Sequence, residues 1–153
     1  MTERAFVDSN VFLYAFDSSS RYHADCHELV QSTRSAEANL WTAPQVFCEI
    51  YRYLSHPAAQ PSRDPEEVLE ALVAVFARPG IGMLPVPPDL TARIVALLRT
   101  NPVRGRRVFD VQIAATMLAN GVDRIYTYNG SDFSYPGIEV CVPPGRSDEN
   151  ATD

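Results

Sequence analysis

Asp8, Glu49, Asp110 and Asp132 each carry a hard oxygen donor into surroundings that are apolar or turn-forming. Asp8 ends the run Ala5-Phe6-Val7, Glu49 divides Val46-Phe47-Cys48 from Ile50-Tyr51, and Asp110 stands between Phe109 and Val111. Asp132 falls in the segment Tyr128-Asn129-Gly130-Ser131-Asp132-Phe133. Taken singly, every one has an ordinary structural explanation. Asp8 could cap the helix after it, and Glu49 could pair with Arg52 three residues on. Asp110 could favour a helix dipole, and Asp132 could serve a turn. Taken together they suggest a shared chemistry. Carboxylates gathered within about 5 Å repel one another, and a divalent cation such as Mg²⁺ or Mn²⁺ relieves that repulsion while leaving positions for water and phosphate. A site of this kind hydrolyses phosphodiesters without a side-chain nucleophile. His23, His27 and His56 belong to other segments, so no histidine is a candidate for a placed general base.

For the acids to meet, strands and helices must bring them to one edge. The pattern predicts a strand at 5–7, a sharp turn, and a mostly apolar helix through Val11, Phe12, Leu13, Ala15 and Phe16. Tyr22, Cys26, Leu29, Val30 and Thr33 repeat at helical spacing through 21–36, and 40–42 reads as a brief strand. A helix over 44–55 ends at His56-Pro57 and contains Glu49. After the linker 58–64, Asp64-Pro65-Glu66-Glu67 supplies an N-cap, a proline at the first position and acids behind it. Pro79-Gly80 ends that helix and 83–86 is predicted as a strand, followed by a helix over 89–99. A basic loop, Arg104-Gly-Arg106-Arg107, leads into a helix over 108–120 with Asp110 in its first turns. Strands are predicted at 124–127 and 138–141, with a loop at 128–133 between them. Alternating strand and helix implies an α/β fold with a central, mainly parallel sheet, and the strands' carboxyl ends are where such sheets bind ligands.

Four segments taken in order, Phe6-Val7-Asp8-Ser9-Asn10-Val11, the helical Glu49, Phe109-Asp110-Val111-Gln112-Ile113-Ala114-Ala115, and Thr127-Tyr128-Asn129-Gly130-Ser131-Asp132-Phe133, resemble a PIN domain. More narrowly, they are similar to the ribonuclease toxins of VapBC toxin–antitoxin pairs, and the resemblance covers residues 4–142. It implies a three-layer α/β/α domain with a twisted sheet. It also implies Mg²⁺, with Mn²⁺ as an alternative, held by Asp8, Glu49, Asp110 and Asp132, with RNA as substrate. Asn129 competes with Asp132 for the fourth ligand position, and Ser9, Asn10 and Thr127 match positions that orient the acids. A small VapB-like antitoxin and a homodimer, assembled into a heterotetramer or larger, are the implied partners.

Composition sets the remaining expectations. The 153 residues suit one domain over 1–142, with a Pro-, Gly- and polar-rich stretch, 143–153, expected as a disordered tail. The start lacks a signal peptide's basic then apolar order and no run approaches a membrane span, so a cytoplasmic protein with no membrane contact is expected. Cys26, Cys48 and Cys141 are odd in number and widely spaced, which suggests buried free thiols. A net charge of −6 offers no general attraction to nucleic acid, so any RNA contact must be local. Arg104, Arg106 and Arg107 are candidates to grip flanking phosphates, a solvated charge run being the alternative. All thirteen basic residues are Arg. Tyr14, Phe16 and Tyr22 read as core or partner contacts, and Tyr22, Phe47, Tyr51, Tyr53 and Leu54 as a candidate dimer surface. Two rival functions fit less well. An aspartyl-phosphate phosphatase with Asp8 as nucleophile would resemble Asp-x-Asp and use a lysine, whereas Asn10 stands at the second position and the chain has no Lys. A non-catalytic PIN-like interaction module has no need of all four acids.

Overall fold

The computed structural model describes residues 3–144 and the backbone of 146–147. Six helices, α1 (Ser9–Phe16), α2 (His23–Ser32), α3 (Pro44–Leu54), α4 (Pro65–Phe76), α5 (Leu90–Thr100) and α6 (Val108–Ala119), pack with a six-stranded sheet. Its strands are β1 (Ala5–Val7), β2 (Leu40–Thr42), β3 (Ile81–Met83), β4 (Arg124–Tyr126), β5 (Glu139–Val142) and β6 (Arg146–Ser147). They lie in the order β3-β2-β1-β4-β5-β6, all parallel except β6, which runs antiparallel to β5. The expected α/β architecture with a mainly parallel sheet is therefore the observed one. The chain builds outward from β1 to β2 and β3, then crosses back to place β4 on the other side of β1. The gap between the ends of β1 and β4 is thus the point where strand order reverses, and ligands of open α/β sheets bind there.

Strands β1 to β4 have three residues each, and the central β1 is buried throughout, as a continuous apolar run covered on both faces is. Ala5, Phe6 and Val7 are all buried in β1, as is Ile125 in β4. The main core joins these strands to α1, α2, α3 and α4 through Val11, Phe12, Cys26, Val46, Ile50 and Leu72. A smaller cluster sets Val111 and Ala114 of α6 against Ile94, Leu97 and Leu98 of α5. Helix α6 contributes Ile113 and Met117 to the main core as well, so it is apolar nearly all round and buried from Val111 to Met117 except Gln112. The cap read at Asp64 is present, its carboxylate accepting from the Glu66 backbone N–H at 2.9 Å.

Several expectations are corrected. The third strand lies at Ile81–Met83 rather than 83–86, because Pro85 has no N–H for a ladder; only Leu84 N–H, donating to Thr42 O at 2.8 Å, extends the pairing. A Cβ on Gly82 would meet the Trp41 ring at 2.6 Å, and one on Gly80 would meet Ser35 O at 2.1 Å, so both glycines answer to close packing. Arg146–Ser147 form β6, paired to β5 by Val142↔Arg146 and Cys141↔Ser147; of the segment 143–153 expected as a disordered tail, positions 145 and 148–153 lie outside the described residues. Cys26 and Cys141 are buried, but Cys48 is exposed on α3. Of the proposed dimer surface, Leu54 belongs to the core, Tyr22, Phe47 and Tyr51 are partly buried against it, and Tyr53 is exposed, at 63%. Among the described residues no helix is long and apolar enough to cross a membrane.

Candidate active site

Asp8 is placed by the sheet itself. Its backbone N–H donates to Tyr126 O at 3.1 Å, continuing the β1–β4 ladder by one residue, and Thr127 N–H does the same toward Cys141 O at 3.0 Å. Asp8 and Thr127 therefore leave adjacent parallel strands side by side, and the Thr127 hydroxyl donates to Asp8 Oδ2 at 2.8 Å. Asp8 is also the N-cap of α1: Oδ1 accepts the Ser9 backbone N–H at 2.8 Å. The cap and the site are thus one residue, and the two readings of Asp8 do not compete.

Asn10 ties the two strand ends together. Its Nδ2 donates to Asp8 Oδ2 at 3.3 Å and to Thr127 Oγ1 at 3.1 Å, while its Oδ1 accepts Tyr128 N–H at 3.2 Å. Thr127 Oγ1 accepts Asn129 N–H as well, at 3.1 Å. Ser9, Asn10 and Thr127 accordingly surround the Asp8 carboxylate, in the manner expected of residues that orient an acid. Burial pushes Asp8 up to about 6, its hydrogen bonds from Thr127 and Ser9 opposing the rise and the Glu49 charge adding to it.

Helices α3 and α6 deliver the next two acids. Glu49 lies one turn into α3, where Gln45 Nε2 donates to its Oε1 at 2.9 Å; the partner is thus Gln45, and the Arg52 pairing weighed from sequence is absent among the ion pairs of the described residues. Gln45 Nε2 also donates to Phe109 O at 3.1 Å, which links α3 to the start of α6. Asp110 follows at once. Its carboxyl is pushed up to about 7, first by burial and then by the charges of Asp132, Asp8 and Glu49, with Arg107 pulling the other way. Three separate acids acting on Asp110, together with the Glu49 charge acting on Asp8, show that all four sequence-predicted carboxylates share one electrostatic neighbourhood.

Asp132 sits in a 3-10 turn, Gly130–Phe133, anchored by buried Phe133, and its Oδ1 lies 3.2 Å from Arg107 Nε. Arg107 is therefore partly spent on an acid of the site, whereas Arg104 and Arg106 are exposed. Asn129 is exposed at the rim of the same turn. All three histidines are engaged elsewhere: His23 with Tyr14 O, His27 with Gln31, and His56 with the Ala58 N–H. Gln45 was not singled out in the sequence. A polar residue one helical turn before a Glu in an amphipathic helix is unremarkable there, and its long-range bond to Phe109 is invisible without the fold.

The donor chemistry suits a hard divalent cation: oxygen ligands only, all acidic, two of them held well above the usual carboxylate range. The side chains as they stand are not drawn in to ligating range, since among the described residues no group of three or more His, Cys, Asp or Glu could hold a metal ion. The carboxylates are neighbours by charge.

Comparison with known proteins gives the fold and the family. The chain is 27% identical over 145 residues to Ribonuclease VapC24 of Mycobacterium tuberculosis, covering 93% of this chain and 97% of that protein. Among solved structures it is similar to VapC20 of Mycobacterium tuberculosis, a sarcin-ricin loop cleaving toxin, with a TM-score of 0.64 and 17% identity over 85% of this chain and 93% of that one. It is also similar to VapBC2 from Rickettsia felis bound to a promoter DNA fragment, with a TM-score of 0.61 and 17% identity over 90% and 96% of the two chains. These structural likenesses concern the fold. The pattern of the PIN domain matches residues 5–136, nearly the whole described chain, and the protein belongs to that family.

Proposed function

We propose that this protein is a metal-dependent endoribonuclease acting as the toxin of a type II toxin–antitoxin pair. The observation that carries the reading is the shared field of Asp8, Glu49, Asp110 and Asp132 at the carboxyl edge of a parallel sheet. The names of VapC24 and VapC20, a ribonuclease and a sarcin-ricin loop cleaving toxin, support RNA as the substrate class.

Asp8, Glu49, Asp110 and Asp132 would hold Mg²⁺ or Mn²⁺, with Asn129 as the rival to Asp132. A bound cation activates water for attack on the phosphodiester and offsets charge on the leaving oxygen. The protein's own residues do the rest. Thr127, Ser9 and Asn10 fix both oxygens of Asp8, so its remaining lone pairs point in set directions. Arg107 limits the mutual repulsion of Asp132 and Asp110. Arg104 and Arg106, exposed just before α6, take flanking phosphates of an RNA strand. The acidic cleft equally suits an Arg or Lys of an antitoxin, which would satisfy the acids with charge-assisted hydrogen bonds in place of the cation. A homodimer bound by its antitoxin in the cytoplasm completes the reading.

Cleavage of an RNA panel by purified protein tests it. Activity that needs Mg²⁺ or Mn²⁺, stops in EDTA and is absent in Asp8→Asn is expected. Undiminished RNA cleavage in excess EDTA rejects the metal mechanism, and hydrolysis of a phosphomonoester without RNA cleavage points to a phosphatase.

A further inference from the structure

We infer that Gln45 is a positioning residue of the acidic site, setting the placement of Glu49 relative to Asp110. The inference rests on the proposed metal-dependent reading and goes beyond it by assigning a residue outside the acids and their strand-end partners.

One amide nitrogen reaches both of the helices that carry acids into the site. Gln45 Nε2 donates to Glu49 Oε1 within α3 and to Phe109 O, the carbonyl immediately before Asp110. Among the hydrogen bonds of the described residues, the second is the one that joins α3 to α6. Without it, Glu49 and Asp110 would depend on loose packing between two helices that each also answer to other neighbours.

The amide cannot turn over. Both of its partners only accept, a carboxylate and a backbone carbonyl, so the NH₂ group must face them and the oxygen must face away. Oε1 is then buried, with no hydrogen-bond partner among the described residues. Leaving an acceptor buried and unsatisfied is unfavourable. A residue chosen for stability alone would avoid that arrangement, for instance with a methionine of similar length. Retaining glutamine fits a requirement for the two donated bonds, with Oε1 left to accept from a water or a ligand group inside the site. Residues that hold a metal-binding carboxylate by hydrogen bonds typically change metal affinity about 10- to 100-fold when replaced.

The test compares Gln45→Met, which keeps length and volume without donors, with Gln45→Ala and wild type. Mn²⁺ binding is measured by calorimetric titration of metal-stripped protein, melting temperature is measured in EDTA, and kcat and KM are measured on RNA. Expected for Gln45→Met are Mn²⁺ affinity at least about tenfold weaker, an unchanged or higher melting temperature in EDTA, and a lower kcat with KM little altered. Wild-type Mn²⁺ affinity in Gln45→Met overturns the inference, and if Gln45→Ala is impaired in the same experiment, side-chain packing is the role instead. Wild-type protein that binds no Mn²⁺ fails at the earlier step, the metal reading itself, and removes the inference with it.

Discussion

Asp110→Asn should stabilise the protein in the absence of metal while abolishing RNA cleavage. In the folded protein Asp110 is pushed from 3.8 to about 7, by burial first and by Asp132, Asp8 and Glu49 next. A group whose folded value is raised binds its proton more tightly when folded. Stability therefore falls as pH rises from about 3.8 to about 7 and levels off above. The full gap corresponds to roughly 4 kcal/mol. Asp110 is only half-buried, and solvent screening reduces this to about 1–2 kcal/mol recovered by the neutral amide at pH 8. For a chain of this size that is about 3–6 °C in melting temperature. At pH 5 the wild-type carboxyl is already protonated in the folded state, and the gain shrinks to about two-fifths of its pH 8 value. The assay is thermal unfolding of both proteins in EDTA at pH 5 and pH 8, repeated with Mg²⁺. Under the proposed function Mg²⁺ raises the wild-type melting temperature and not that of Asp110→Asn. A variant less stable than wild type at pH 8 in EDTA, by as much as at pH 5, would refute the argument from mutual repulsion.

Other outcomes follow from the same geometry. Thr127→Val removes the donor to Asp8 Oδ2 and strands the Asn129 N–H, so a loss of about 1–3 kcal/mol in denaturant unfolding is expected. The same change should move the acid limb of the cleavage pH profile upward, since Asp8 loses a bond that lowers it. Asp132→Asn should weaken Mn²⁺ binding more than Asn129→Ala, because Asp132 acts on Asp110 and Asn129 lies exposed at the rim; equal losses would make Asn129 a ligand in its own right. Light scattering of the purified protein should give a dimer, and a mass near 17 kDa at micromolar concentration would exclude one.

The sequence was most readable where local chemistry and the fold agree. Asp64-Pro65 starts α4 as a cap and first-position proline do in any helix, and Asp8, Glu49 and Asp110 stand out because each interrupts or ends an apolar run. What escaped depends on contacts far apart in the chain. Met83-Leu84-Pro85-Val86 looks as strand-like as Ile81–Met83, and only the ladder to β2, with Trp41 over Gly82, selects the earlier register. Tyr22 and Phe47 looked available for a partner, yet Tyr22 stacks against Tyr128 with centroids 4.2 Å apart and Phe47 lies 5.6 Å from Phe76. Gln45 shows its purpose only through Phe109, 64 positions away. Of the candidate phosphate grips, Arg107 was legible as a cation near the site, but its pairing with Asp132 needed the turn that brings the two together.

Asp8 and Asp110 are both raised first by burial, but hydrogen bonds oppose the rise at Asp8 while three acids add to it at Asp110, and the difference suits them to different tasks. Asp8 is buried at the junction of two strands, 4% exposed, with donors on both oxygens that resist the rise; its position is set by the backbone ladder and cannot relax far. Asp110 stands at the start of a helix among three other acids, whose charges add to a rise that burial begins. Neutralising charge therefore changes Asp110 more than Asp8. On the proposed reading a cation gains free energy by ending the repulsion around Asp110, while its location is dictated by the fixed oxygens of Asp8. This division also accommodates an acidic protein acting on an anionic substrate. The local excess of negative charge that would repel RNA is what a divalent cation is drawn to, and on that reading the exposed Arg104 and Arg106, just before α6, supply the positive charge for flanking phosphates.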